Sequence, residues 1–345
     1  MSDKNLTIGY LGVGRYLPPN VLTNAHLEKM VDTSDEWIVQ RTGIRERRIM
    51  SRDESLLTMA AAAARNALAQ AGVEPSQIED IHIGVNTHLR FPSLATMLQQ
   101  ELGIENATAC DISAGCSGFI FAVDAIRNKM MTEWLLEGKT SYALALGVDG
   151  LSALVDYTDR TTCVLFGDGA GAVVIGPVES GGILATVTRT QGRYADLLYL
   201  PHIYTNPLED PASMRILNKR ELAAPFLSME GRKVFQVAVR SMMADIRTVI
   251  ERYNQLNGDR LTLDDIEYVI PHQANHRIVT AVGEGLKLTP EQVYSEGVVK
   301  YGNTSAASIP IAYVDTFGKR PGALEVDVAF GAGFASGAIL RRNPK

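Results

Sequence analysis

Two stretches of this chain echo each other. Phe166 to Ile175 reads FGDGAGAVVI and Phe330 to Ile339 reads FGAGFASGAI, so each sets Phe-Gly-x-Gly ahead of a strand of small residues. A second pair precedes them in the same order: IEDIHIGVN from Ile78 and LDDIEYVIPHQ from Leu263 each follow a long helical stretch and run into a strand. Matched echoes in one order predict two similar halves that meet near residues 177 to 185, taken as 1–180 and 181–345. In such a fold, loops at equivalent strand ends of the two halves can converge on one shared site.

Between the echoes, strand-like apolar runs alternate with helical segments, the pattern of stacked α/β layers. Ile81 to Val85 reads as a buried strand. Alanine dominates Met59 to Gly72, which predicts a helix stopped by Gly72, with Ser51 and Glu54 as a capping pair upstream. Phe119 to Leu136 is apolar nearly all round at its start, as a central buried helix requires. Val234, Ala238, Met242, Ile246 and Val249 keep helical spacing, so Met229 to Asn257 reads as one long helix. With 345 residues, 46% of them hydrophobic, the chain can fill a sizeable core.

The net charge of -6 argues against a nucleic-acid partner. No apolar run approaches a membrane span, and no charged start leads into an apolar segment, so neither membrane insertion nor a signal peptide is expected. The three cysteines, Cys110, Cys116 and Cys163, are an odd number in a large chain and point to free thiols in a reducing cytoplasm. They form no CxxC pair, and the six histidines show no metal spacing. His272 and His276 are placed to share a helix face but lack a glutamate between them, so no metal is expected. Gly167, Gly169 and Gly171 are not followed by Lys-Ser or Lys-Thr, and Gly12 and Gly14 lack the third glycine of a dinucleotide fingerprint. Both sets read as tight backbone packing or turns.

The informative polar residues lie in three short stretches. Asp111 to Phe119 reads DISAGCSGF, where small neighbours leave the Cys116 sulfur open to an approaching group just before a buried helix. Val269 to Arg277 reads VIPHQANHR, an apolar strand running into His272, with Asn275 at the start of a helix. Tyr301 to Pro310 reads YGNTSAASIP, where Gly302 and small residues let Asn303 approach other backbones.

Taken with TSDEWIVQRTGIRERRI (Thr33 to Ile49) and FGDGAGA, these motifs resemble the β-ketoacyl-acyl-carrier-protein synthase III family of thiolase-like condensing enzymes, over nearly the whole chain. The resemblance implies a thiolase-like α/β fold of two related halves in five α-β-α-β-α layers, and usually a homodimer. It implies a Cys116, His272 and Asn303 triad for a decarboxylative Claisen condensation of an acyl-CoA with a malonyl thioester on acyl carrier protein, with no permanently bound cofactor. Cys116 attacks as a thiolate, which a helix N-terminus favours. The N–H groups of Cys116 and the Gly331-Ala332-Gly333 loop receive the oxyanion. His272 and Asn303 are neutral donors to the second oxyanion. Thr33, Trp37, Arg41, Arg160 and Asn275 match positions that bind CoA, with the adenine between Trp37 and Arg160. Phe91, Leu151 and Phe166 match the acyl pocket, Phe91 reaching across from the partner subunit. Arg277 matches a carrier-protein docking position.

The chain departs from the family pattern at several places. Arg232 stands where an asparagine usually contacts pantetheine, and the His88 to Phe91 loop is one residue longer. The segment from Tyr199 to Leu227 is extended. Gln236 replaces a usual lysine, and Glu284 with Gly285 replaces a lysine pair. These departures leave open a specialised relative of secondary metabolism with an unusual acyl chain or acceptor, alongside the fatty-acid enzyme. A non-catalytic scaffold is opposed by the intact Cys, His and Asn set.

Overall fold

The computed structural model describes residues 6–200, 202–205, 214–217 and 226–345. Among the described residues, nine strands form the two large sheets. The first holds β1 (Ile8–Tyr16), β2 (Ile78–Gly84), β3 (Thr108–Ile112), β4 (Tyr142–Gly150) and β5 (Asp168–Pro177) in the order β1-β5-β4-β2-β3. The second holds β6 (Gly182–Thr190), β7 (Tyr268–Pro271), β8 (Leu324–Gly331) and β9 (Ala335–Arg342) in the order β7-β8-β9-β6.

Both sheets follow one pattern. β1 pairs antiparallel with β5, β5 antiparallel with β4, and β4 parallel with β2. In the second sheet β6 pairs antiparallel with β9, β9 antiparallel with β8, and β8 parallel with β7. The FGDGAGAVVI and FGAGFASGAI echoes thus fall on corresponding strands, β5 and β9, and the weaker pair on β2 and β7. β3 is an extra strand at one edge and pairs only with β2 among the described residues.

Among the described residues, seven helices of eight residues or more complete the layers: α1 (Asp35–Thr42), α2 (Leu56–Ala71), α3 (Leu94–Glu101), α4 (Gly118–Glu137), α5 (Gly231–Asn257), α6 (His276–Gly285) and α7 (Ser308–Thr316). α2 and α3 cover the outer face of the first sheet, α4 and α7 lie between the sheets, and α5 with α6 covers the second. Alanine suits α2 because the sheet comes very close. A Cβ on Gly12 would lie 2.4 Å from Ala67 O, and one on Gly14 2.2 Å from Ala63 O. Those two glycines are there for backbone contact.

Helix boundaries differ from expectation for physical reasons. α2 starts earlier, capped by Ser55, whose hydroxyl accepts the Thr58 N–H. Ser51 and Glu54 instead close the preceding turn, where the Glu54 carboxylate accepts the Ser51 N–H at 2.7 Å and the Tyr16 hydroxyl at 2.6 Å. α5 begins at Gly231 because Ser228 and Met229 pair as a short strand with Leu198 and Tyr199. α4 is buried along its first half only; Leu135 and Leu136 are exposed. His272 and His276 share no helix face, since α6 starts after Asn275. Most of the extension at Tyr199 to Leu227 lies outside the described residues. No helix among the described residues is long and apolar enough to cross a membrane.

Candidate active site

The three motif residues come from the ends of elements in both halves. Cys116 sits in the turn between β3 and α4. Its neighbour Ser117 donates to Ala335 O at 2.9 Å, tying this turn to the start of β9. A Cβ on Gly115 would lie 2.4 Å from Ala332 N, and one on Gly331 2.3 Å from Cys116 N. Only glycine lets the two loops close this far, and the closure brings the Cys116 N–H and the 331–333 backbone together.

Burial pushes the Cys116 thiol up to about 12. The Ser305 hydroxyl, 3.4 Å from Sγ, lowers it somewhat, and the nearby Asp149 charge raises it further. Loss of water around the sulfur thus acts against the thiolate that a helix N-terminus favours.

His272 follows β7 and is fully buried. Its Nδ1 lies 2.6 Å from Ser308 Oγ, the first residue of α7, and its ring meets Phe330 edge-on at 5.5 Å. Ser308 Oγ also accepts the Gln273 N–H at 3.2 Å, so its own proton is free for Nδ1. That places the imidazole proton on Nε2, which has no partner among the described residues. Burial lowers the ring to about 3, so the group is a neutral donor.

Asn303 is pinned by its backbone: its N–H donates to Leu165 O at 2.9 Å and its carbonyl accepts Gly167 N–H at 3.0 Å. Its Oδ1 accepts the Ser305 N–H at 2.8 Å, which leaves Nδ2 as the donating end.

One cavity of about 690 Å³ is lined by Cys116, His272 and Asn303 and also by Trp37, Arg41 and Arg160. Its charged lining residues among those described are all arginines, namely Arg41, Arg160, Arg232 and Arg277. The Arg160 guanidinium lies over the Trp37 ring at 5.1 Å and donates to Asp32 O at 2.8 Å. Asn275 caps α6, accepting the Arg277 N–H at 2.9 Å and donating to Arg41 O at 3.2 Å, which joins α1 to α6 beside the cavity. Arg277 is exposed and lies over Phe235 at 5.8 Å. Phe166 lines the cavity, but Leu151 does not; it is buried in the same apolar cluster as Phe166. Thr33 is also outside the lining, its hydroxyl buried without a hydrogen-bond partner. Phe91 is away from the cavity and 94% exposed. Among the described residues, no group of three or more His, Cys, Asp or Glu is placed to hold a metal.

Comparison with known proteins decides the family. Residues 110–192 match the model of 3-oxoacyl-[acyl-carrier-protein] synthase III, and residues 256–342 match the model of its C-terminal part. The β-ketoacyl-[acyl-carrier-protein] synthase III of Geobacillus kaustophilus is 44% identical over 97% of this chain and 98% of its own length. That of Caldanaerobacter subterraneus subsp. tengcongensis is 42% identical, covering 96% of each chain. The chain belongs to the β-ketoacyl-acyl-carrier-protein synthase III family. The crystal structure of the Aquifex aeolicus synthase III superposes with a TM-score of 0.83 at 40% identity, covering 98% of this chain and 100% of that one. This synthase III is therefore a condensing enzyme of the acyltransferase type with a thiolase-like fold.

Three residues at the site escaped sequence reasoning. Ser305 and Ser308 were in view within YGNTSAASIP, but as small spacers. Asp149, in GVDG at the end of β4, is fully buried beside the site. The signal available was the spacing of the two serines, one turn apart at the start of a helix.

Proposed function

We infer that this synthase III joins the acyl group of an acyl-CoA to a malonyl thioester on acyl carrier protein, with loss of CO₂, and so starts fatty acid synthesis. The observation that carries this is the single cavity lined by arginines and Trp37 as well as by Cys116, His272 and Asn303. A ligand with phosphates and an aromatic base suits the first group, and a thioester suits the second.

In the first half-reaction Cys116 Sγ bonds to the thioester carbon and CoA leaves as its thiol. The carbonyl oxygen takes negative charge beside the Cys116 N–H and the 331–333 backbone, where one aligned donor is typically worth ~10² to 10³ in rate. In the second, the malonyl carboxylate leaves as CO₂ and its electron pair moves toward the thioester oxygen, faced by His272 Nε2–H and Asn303 Nδ2–H. The resulting carbon nucleophile displaces Cys116 from the acyl group and gives a β-ketoacyl thioester. Neutral donors suit this step, because their protons stay bound while they stabilise the charge.

An adenine stacked between Trp37 and Arg160 needs about 7 Å between them, twice a van der Waals contact. They stand 5.1 Å apart, so Arg160 swings outward by about 2 Å on binding, away from its exposed tether to Asp32. Asn275 holds the cavity wall and offers its polar edge to the pantetheine arm, and Thr33 supports the nucleotide end from behind. We read the chain as a homodimer of protomers divided at 1–180 and 181–345. The unpaired edge of β3 and the exposed Phe91 are what a second copy would cover, with Phe91 entering the partner's acyl pocket.

The test is reconstitution. Acyl-CoA and malonyl carrier protein with the purified enzyme should give CO₂ and a β-ketoacyl carrier protein. CoA release without a condensed product from any malonyl thioester would contradict this assignment.

A further inference from the structure

The buried thiol at Cys116 raises a question of proton traffic. A thiol held up at about 12 keeps its proton at neutral pH, and that proton must leave as the sulfur attacks. His272 is a poor acceptor, since burial holds it near 3 and Ser308 occupies its Nδ1.

The structure offers another route. The Ser305 hydroxyl lies 3.4 Å from Cys116 Sγ. Burial raises the Asp149 carboxyl above the usual carboxylate range, and its interaction with the Ser305 hydroxyl offsets part of that rise. Asn86 Nδ2 braces the pair, 3.4 Å from Ser305 Oγ and 3.0 Å from Asp149 Oδ2. Asp149 is fully buried and its other neighbours are all donors. Oδ1 accepts the N–H groups of Asn86 at 2.8 Å and Thr87 at 3.1 Å, and Oδ2 faces the Ala306 N–H at 3.4 Å. The Thr87 hydroxyl, 3.1 Å from Oδ1, accepts the Gly150 N–H at 3.0 Å and has its own proton free for the carboxylate. An all-donor shell favours the ionised carboxylate, while burial raises the group and so makes it a stronger base than an exposed aspartate. No cation pairs with it among the described residues.

A buried carboxylate without a cation is costly, and beside a nucleophile it opposes formation of a thiolate. Its position makes chemical sense if it takes up the proton. Ser305 carries a second mark: its φ is 54°, in the left-handed region that glycine occupies freely and serine does not. The chain keeps a hydroxyl where the backbone favours none.

We propose that Ser305 relays the Cys116 proton to Asp149 during acylation. The S–H proton passes to Ser305 Oγ as the Ser305 proton passes to Asp149, and Sγ bonds to the thioester carbon. Collapse of the tetrahedral intermediate breaks the bond to the CoA sulfur, and the proton returns through Ser305 to that sulfur. Acyl-CoA and thiol become acyl-cysteine and CoA thiol, with no other reactant. Ser305 touches the reacting sulfur and is the catalytic residue; Asp149 acts through it. This relay rests on Cys116 being the acyl carrier.

Ser305→Gly separates the relay from a structural role, because glycine removes the hydroxyl and relieves the positive φ together. The experiment follows Cys116 by single-turnover acylation from acyl-CoA and by alkylation with iodoacetamide, from pH 6 to pH 10. The ionisable groups around the thiol are Asp149, from the end of β4, and His272, from the loop after β7. We expect Ser305→Gly to melt no lower than the wild type yet acylate ~10²-fold or more slowly at pH 7, the usual scale of general-base assistance. The deficit should shrink toward pH 10 as hydroxide removes the proton. Asp149→Asn combined with Ser305→Gly should be no slower than Ser305→Gly alone, as expected of members of one chain. Wild-type rates and an unchanged pH profile in Ser305→Gly would overturn the relay. Absence of any acyl adduct on the wild type would instead overturn the acyl-carrier reading. The iodoacetamide arm, with Cys116→Ala as blank, would still test the proton transfer.

Discussion

His272 Nδ1 lies 2.6 Å from the Ser308 hydroxyl, and this contact decides which ring nitrogen donates into the cavity. With Ser308 donating to Nδ1, the proton sits on Nε2. Ser308→Ala frees the ring to hold the other tautomer and leaves Nδ1 unpartnered, a loss of about 1 to 3 kcal/mol. The expected outcome is a decarboxylation rate roughly tenfold or more below wild type, with acylation of Cys116 nearly unchanged. CO₂ release measured beside single-turnover acylation separates the two; equal losses in both would remove the tautomer from the account.

The buried imidazole also predicts how stability depends on pH. Its folded value is lowered to about 3 from the ordinary 6.5, so below 6.5 the unfolded chain binds a proton that the folded chain refuses. Stability from this group is complete above pH 6.5 and is lost progressively as pH falls toward the folded value. By pH 5 the loss is about 2 kcal/mol, at 1.36 kcal/mol per pH unit. Urea unfolding at pH 7.5 and pH 5 should show a difference that His272→Gln reduces by about this amount. An identical difference in the variant would mean that the ring is not held neutral.

Trp37→Ala should raise KM for acyl-CoA several-fold, because a stacked base contributes ~1 to 3 kcal/mol. Acylation from a short pantetheine thioester, which lacks the nucleotide, should barely change. Equal losses with both donors would place the base elsewhere.

On the function proposed above, carrier-protein docking should turn on α6. Glu284 lies two turns beyond Arg277 on the same face of α6, both exposed. An acidic partner meets one favourable and one opposing charge, each exposed pair worth only ~0.2 to 1 kcal/mol. Glu284→Lys should improve use of malonyl carrier protein at low salt, and Arg277→Glu should impair it, with neither altering acylation from CoA. Salt should flatten both effects, since screening acts on exposed charges first. Steady-state rates across ionic strength are the check, and insensitivity to both substitutions would move the docking surface off α6.

Much of the fold could be read from the glycines. The Phe-Gly-x-Gly echoes lead into β5 and β9, and glycine there answers a backbone demand that local sequence displays. Cys116, His272 and Asn303 were legible for a similar reason, each standing in a short motif of small residues around one reactive side chain. Ser305, Ser308 and Asp149 were not. Their roles come from partners far along the chain: Ser305 meets Cys116 across 189 residues, and Ser308 meets His272 across 36. A serine among alanines carries no local sign of the atom it will face.

The central claim is that Cys116 carries the acyl group. Intact-protein mass spectrometry after mixing with acyl-CoA tests it most directly. The wild type should gain one acyl mass, Cys110→Ala and Cys163→Ala should gain the same, and Cys116→Ala should gain none. An acyl adduct of equal extent on Cys116→Ala would contradict the account.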